Sequence, residues 1–537
     1  MTQPQNHPGT RQAVPNQAAV PNQAAVPNQA AVPNQAAVPS QAAVPSQAAV
    51  PSQAAVPSQA AVPSQAAVPS QAAVPTQAAL GRVHFIGIGG VGMSAVARIM
   101  VARGVTVSGS DAKDLPVLAE LADAGARIAV GYSAANLGDA QTVVAGSAIR
   151  ADNPELAAAR SAGLPVLHRS EALAATMADD TVVTVAGTHG KSTTTSMITV
   201  LLQGAGLDPS FAIGANVPAL GVNAAHGSSR IFVAEADESD GSFLNYRPQI
   251  AVVTNVEPDH LDYYGTAEAV YASFDRFTAL LPADGVLVAC ADDAGARALA
   301  RRTLERGNTR VILYGTADDA GIRLHDAGPG QVSLATAAGR FAVELQVPGR
   351  HNALNAAAAF AVALELGVAP EAAAGALAHF SGASRRFEAK GGGRGVRVYD
   401  DYAHHPTEVR AALSAARSVA GEHKVHVLFQ PHLFSRTREF AREFAEALND
   451  ADTALVLDIY AAREDPVPGV SSQLIADHLG PGGGLVGPGQ EAVQAILAAA
   501  SPGDVVLTAG AGDVTAYGPL IVEALNTGAA DDGAHRA

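Results

Sequence analysis

Tryptophan is absent from the 537 residues, cysteine occurs once, at Cys290, and lysine only four times. A single cysteine excludes an internal disulfide framework and a multi-cysteine zinc site, and it suits a reducing compartment. Basic charge is scarce: 34 Lys and Arg stand against 50 Asp and Glu, a net charge of −16. Such a surface cannot neutralise a long run of phosphates, which argues against a nucleic-acid partner but leaves room for a local cationic pocket. No uncharged apolar run reaches the ~18 residues of a membrane span. The Ala-rich stretch from Ala353 is interrupted by Asn355 and Glu365. The first residues show no charged segment followed by an apolar one, so no secretory signal is visible. The expectation is a cytoplasmic protein, monomeric or homodimeric, without a membrane span.

What is abundant is repeat and apolar residue. From Val14 to Ala79 a six-residue unit, VPNQAA, VPSQAA or VPTQAA, recurs eleven times without a charge or an aromatic ring. Proline in every unit blocks a helix, and one valine with two alanines buries too little to offset ordering entropy. Residues 1–79 are therefore expected to be disordered, with polyproline-II character, as a spacer or a neutral tail. The remainder, 48% apolar over the whole chain, is long enough for about three domains of ~100–200 residues. Strand-like and Ala/Leu-rich helical segments alternate, the pattern of an α/β fold. Three strands, Arg82–Ile86, Thr181–Val185 and Arg397–Tyr399, run into loops rich in chemistry. Each reads as the first strand of its own block, with blocks at 80–180, 181–384 and 385–537.

In the first block, Gly87-Ile-Gly89-Gly90-Val-Gly92 follows a strand and opens a helix. Gly87 allows the tight turn, Gly89 and Gly90 let backbone approach a phosphate, and Gly92 lets helix and strand pack. The next strand ends in Ser110-Asp111, suited to a ribose or base, and Ser147 ends a later one. NAD, FAD, a UDP-sugar and purely structural glycines all remain open at this point.

The second block is more specific. Gly187-Thr188-His189-Gly190-Lys191-Ser192-Thr193 is a shortened phosphate loop between an apolar strand and a helix. Its backbone N–H groups form an anion nest, Lys191 reaches terminal phosphates, and Ser192 can ligate Mg²⁺. Arginine dominates the cations of this chain, yet lysine stands here. Two further strands end in acids, at Glu235-Ala-Asp237-Glu238 and at Glu257-Pro-Asp259-His260. Beside a phosphate loop these suit a metal on nucleotide phosphates, with Glu235 and His260 the favoured ligands.

Together these motifs resemble the ATP-dependent Mur ligases of peptidoglycan precursor synthesis. HFIGIGGVGM, AGTHGKSTTT, EADESDGSF, TNVEPDHLD, GRHNALNA, SRRFE, DDYAHHPTE, FQPHLFSRT and GAGD occur in that family's order, from about Leu80 to about Asn526. The resemblance implies a Rossmann-like first domain for a UDP-sugar, a central ATPase domain, and a Rossmann-like third domain. It implies ATP with Mg²⁺ or Mn²⁺ as cofactors and UDP-N-acetylmuramate with L-alanine as substrates, joined through an acyl phosphate. A ligase that recycles a tripeptide onto the same sugar, or a non-catalytic relative, are the alternatives.

By resemblance, Lys191 meets the γ-phosphate, Ser192, Glu235 and His260 hold the metal, and Asn352, Arg386 and Asp401 meet nucleotide. His189 is expected toward the muramoyl carboxylate. Tyr402, His404 or His405, His432 and Arg436 are expected around the amino acid, with Arg436 on its carboxylate. Two departures stand out. Leu433 occupies a position where many relatives have arginine. No lysine lies between Lys191 and Lys390, so the carbamylated lysine of several sibling ligases has no counterpart.

Overall fold

The computed structural model describes residues 75–534 apart from Ser147, Asn308, Pro329 and Arg463. The repeats up to residue 74, and the disorder expected of them, lie outside the described residues. The last repeat does not stay irregular to residue 79. Gln77–Leu80 forms a 3-10 turn, fixed because Leu80 is buried and its carbonyl accepts the Thr142 hydroxyl at 2.7 Å.

Three sheets follow in chain order. The first comprises β1 (Val83–Ile86), β2 (Val107–Asp111), β3 (Arg127–Val130), β4 (Thr142–Ala145) and β5 (Val166–His168). It is wholly parallel in the order β3-β2-β1-β4-β5, so the glycine turn leaves its central strand.

The second contains β6 (Thr181–Ala186), β7 (Ser210–Ala212), β8 (Ala224–Ala225), β9 (Ile231–Glu235), β10 (Ile250–Val253), β11 (Val286–Cys290) and β12 (Arg310–Gly315), extended by β13 (Ile322–Gly328), β14 (Gln331–Thr336) and β15 (Gly339–Glu344). Its order is β15-β14-β13-β12-β11-β10-β6-β9-β7-β8. Strands such as β11, buried along its whole length, are continuous apolar runs because helices cover both faces. β6 lies between β9 and β10, parallel to both. The phosphate loop is therefore flanked by the ends of the two strands that carry the acids.

The third sheet contains β16 (Glu388–Gly393), β17 (Val396–Asp401), β18 (Val425–Phe429), β19 (Thr453–Val456), β20 (Gly483–Leu485) and β21 (Val505–Ala509), in the order β16-β17-β21-β18-β19-β20. Here β17 is not the first strand of its block. The preceding EAKGGG pairs with it antiparallel, through an irregularity between Ala389 and Gly391. That segment has no apolar alternation to announce it.

A large apolar cluster with members from Leu80 to Ala383 spans the first two sheets, a small one around Ile86, Val143 and Leu156 covers the other face of the first, and the third has its own clusters. The α/β expectation with three sheets of chain-ordered segments holds. No helix among the described residues is long and apolar enough to cross a membrane.

Candidate active site

The phosphate loop is locked by its neighbour strand. Gly187 has φ +134, and a Cβ there would sit 2.1 Å from the Thr254 hydroxyl and 3.1 Å from the Asn255 backbone, so only glycine fits. The His189 N–H donates to Asn255 Oδ1 at 2.7 Å and the Thr188 N–H to the Asn255 carbonyl at 3.2 Å. The Thr188 hydroxyl bridges to the Glu257 backbone. Two of the expected nest donors are therefore spent inside the protein. The anion site is left to the start of the helix Lys191–Gly204, capped by Gly190, whose first N–H groups have no intrahelical partner. Thr193, in its first turn, lines the smaller of two adjoining cavities.

Lys191 donates to the carbonyls of Gly187 and Thr188 and to Glu238 Oε1 at 2.9 Å. Burial alone would depress its ammonium pKa, but Glu238, Asp237 and Glu235 outweigh that and raise it. Glu238 itself is 2% exposed, its Oε2 is buried without a hydrogen-bond partner, and burial pushes its carboxyl up to about 7 against the pull of Lys191.

Ser192 Oγ donates to Glu235 Oε1 at 3.1 Å, and Glu235 Oε2 accepts the Gly214 N–H. A hydroxyl and a carboxylate so paired are hard oxygen donors that suit Mg²⁺ or Mn²⁺. His260 lines the same cleft, and burial lowers its pKa, which keeps its imidazole neutral and available as a ligand. All three expected ligands line one cleft, and their donor types suit such a cation. Sequence reasoning named Glu238 only as part of the acidic run after Glu235 and did not foresee its pairing with Lys191.

The third sheet closes over this loop. His189 does not face outward. Its Nδ1 is 3.1 Å from Glu408 Oε1 and its Nε2 3.4 Å from Glu257 Oε2. Burial favours the neutral ring, yet the two carboxylates prevail and raise its pKa to about 9. Thr407 donates to Glu257 at 2.8 Å, and Arg436 donates to Asp259 Oδ1 at 2.8 Å, both groups buried. Glu408, Glu257 and Asp259 thus join segments of the central and third sheets.

His405 requires correction. It caps the helix Pro406–Ala420, its Nδ1 accepting the Thr407 N–H while Glu408 returns to the His405 N–H. Its ring lies 4.7 Å from that of His189, away from the cleft. Its neighbour His404 lines the cleft instead, with Tyr402, His432, Leu433 and Arg436. Leu433, at φ +71, leaves its position apolar.

Arg386 and Arg385 both lie over the Tyr402 ring, at 5.1 and 4.8 Å. Asp401 accepts the Phe387 and Ala403 N–H groups; burial raises its carboxyl to about 7, with Arg386 opposing. Arg386 and Asp401 line the smaller cavity of about 250 Å³ with Asn352, Asn355, His351 and Tyr314. Asn352 donates to the Pro348 carbonyl at 2.7 Å.

On the first sheet, the Gly87 N–H donates to the Ser110 carbonyl, Gly90 caps the helix Val91–Ala102, and Gly92 packs against Arg169. The Gly89 N–H donates to Asp111 Oδ2 at 2.9 Å, and a Cβ there would meet Leu115 at 2.7 Å. Ser110 is turned the other way. It is fully buried and its hydroxyl donates to Glu155 at 2.5 Å, in a network with His84 and Asn136. Ser147 lies outside the described residues. A cleft of about 1050 Å³ runs from Gly89 and Leu115 past Lys191, Glu235 and His260 to Arg386, Tyr402 and Arg436, so all three sheets contribute to one site.

Three family models match in the order of the sheets: "Mur ligase family, catalytic domain" over 82–181, "Mur ligase middle domain" over 185–363, and "Mur ligase, glutamate ligase domain" over 385–512. A UDP-N-acetylmuramate–L-alanine ligase of Arthrobacter sp. is 82% identical over 446 residues, 83% of this chain and 95% of that protein. The chain belongs to the Mur ligase family. A Renibacterium salmoninarum protein of the same name is 64% identical over 83% of this chain and 97% of its own. Among solved structures, the UDP-N-acetylmuramate-alanine ligase of Thermotoga maritima superposes with a TM-score of 0.68 at 30% identity, covering 83% of this chain and 99% of that one. The murein peptide ligase of Psychrobacter arcticus gives 0.60 at 25%, over 83% and 98%. Membership in the Mur ligases accounts for a site assembled from three sheets, since each family model covers one of them.

Proposed function

We propose that the protein is the ATP-dependent ligase that joins L-alanine to the lactyl carboxylate of UDP-N-acetylmuramate, releasing ADP and phosphate. The observation that carries this reading is the 82% identity to the Arthrobacter L-alanine ligase across nearly its whole length, with a cleft that links three chemically distinct regions. The Gly89 and Leu115 end of the cleft, where Asp111 holds the Gly89 N–H, takes the UDP moiety. The cavity bounded by Asn352, Asn355 and Asp401 takes the nucleoside of ATP, whose phosphates reach the helix start at Lys191.

The sugar's carboxylate attacks the γ-phosphorus and displaces ADP, giving an acyl phosphate. The alanine nitrogen then attacks the acyl carbon and phosphate departs. Charge accumulates on the transferring phosphoryl group, where the Lys191 ammonium and the Arg386 guanidinium offset it. Ser192, Glu235 and His260 would hold a divalent cation that neutralises phosphate charge. The Arg436 guanidinium, steadied by Asp259, receives the amino-acid carboxylate. The reaction belongs to the cytoplasm, where ATP and nucleotide sugars are found.

The test is phosphate release with ATP, Mg²⁺ and UDP-N-acetylmuramate, with L-alanine, glycine, L-serine or the cell-wall tripeptide as acceptor. Release that needs both the sugar nucleotide and L-alanine is expected. Preference for the tripeptide would assign the recycling reaction instead, and no release with any acceptor would overturn catalysis.

A further inference from the structure

We infer that His404 is the base that takes a proton from the attacking amine, and that Glu408 is a positioning residue that fixes its tautomer. The inference rests on the proposed acceptor site. His404 lines the cleft beside Tyr402, His432 and Arg436. Its Nδ1 is 2.9 Å from the Tyr402 carbonyl and 3.1 Å from Glu408 Oε2. Both neighbours are acceptors only, so Nδ1 carries the hydrogen and the lone pair of the neutral ring is on Nε2. The other histidines nearby are committed elsewhere. His432 Nδ1 is 3.4 Å from an Arg436 nitrogen, which can only donate. His405 faces His189, and His189 is held by two carboxylates.

The chemistry needs such a base. Alanine arrives as an ammonium with three N–H bonds, and the product amide keeps one. One proton leaves with the departing phosphate as hydrogen phosphate. The other goes to His404 Nε2 as the nitrogen lone pair forms the C–N bond and the C–O bond to phosphate breaks. The resulting imidazolium is stabilised by Glu408, which is already ionised. Burial opposes ionisation of the Glu408 carboxyl, but the ion pair with His189 at 3.1 Å, whose own pKa is raised to about 9, keeps it charged while His404 is neutral. Glu408 also reaches the phosphate loop through His189, so the same carboxylate touches the amine side and the phosphate side of the site.

The experiment compares two acceptors in wild type, His404→Asn and Glu408→Gln. L-alanine must be deprotonated, whereas hydroxylamine is already neutral near neutral pH and traps the acyl phosphate as a hydroxamate without a base. For His404→Asn, amide formation with L-alanine is expected to fall about 10²–10⁴-fold while hydroxamate formation changes less than about fivefold. Glu408→Gln is expected to lose about 10²-fold with L-alanine, because a glutamine amide favours the wrong tautomer, and a smaller amount with hydroxylamine through its contact with His189. Hydroxamate formation proves that each variant is folded and transfers phosphate. Parallel loss with both acceptors, or undiminished alanine coupling in His404→Asn, would overturn the inference. Absence of ATP- and sugar-dependent hydroxamate in wild type would instead overturn the acyl-phosphate reading and take this inference with it.

Discussion

Replacing Lys191 by methionine separates what this lysine does for the fold from what it does for the reaction. The lysine is the cationic partner of Glu238, whose side chain is 2% exposed and whose second oxygen already lacks a hydrogen-bond partner. Without the ammonium the carboxylate cannot stay ionised, so Glu238 takes up a proton on folding. With Lys191 present the Glu238 carboxyl already titrates at about 7, so the loss specific to the variant opens above that value: at pH 9 it is about 1.36 × 2, or roughly 2.7 kcal/mol. This approaches the about 3–5 kcal/mol expected for breaking a buried pair. At pH 7 the same arithmetic gives less than about 0.5 kcal/mol. The sign follows from the raised folded-state pKa: the wild-type carboxylate ionises above about 7 and is then held by the ammonium, whereas the variant must keep its proton. Urea denaturation of the ligand-free protein at both pH values measures the difference. The double variant K191M/E238Q should recover most of the stability at pH 9, because it leaves no uncompensated charge, yet show no phosphate release. A loss equal at pH 7 and 9, or a double variant no more stable than K191M, would refute the reasoning.

Three further outcomes are expected. His189 has a folded pKa raised to about 9 from 6.5, so its contribution to stability is complete below 6.5 and disappears as pH rises through about 9; H189N should flatten that part of the stability–pH curve. Gly187→Ala meets both a forbidden φ and the Thr254 hydroxyl, and should cost about 2–5 kcal/mol in denaturation and weaken ATP binding, read by calorimetry. Removing residues 1–74, which offer no catalytic side-chain pattern, should change kcat in the phosphate-release assay by less than ~10-fold, about 1.4 kcal/mol.

Features that depend on neighbours in the chain were legible in the sequence. The glycine turn, the phosphate loop and Ser192 with Glu235 are set by a strand running into a helix, and strand ends in a parallel sheet converge. Ser110 went astray because its strand alternates: Ser108 and Ser110 share a face with His84, opposite to Asp111. The choice between His404 and His405 turned on a helix cap made by histidine, a residue outside the usual capping set. Contacts such as Arg436 with Asp259, 177 residues apart, and Glu408 with His189 join different sheets, and no local pattern encodes them. β16 escaped notice because three of its six residues are glycine.

The grip of Thr407 and Glu408 on Glu257 and His189 ties two sheets together at one helix start. The loop histidine rests on one carboxylate from the central sheet, Glu257, and one from the third, Glu408. A central sheet parted from that helix would hold the histidine with one carboxylate fewer. Under the proposed assignment of the cleft, its phosphate end and its acceptor end therefore share a wall, and a change made at Glu408 is felt at both.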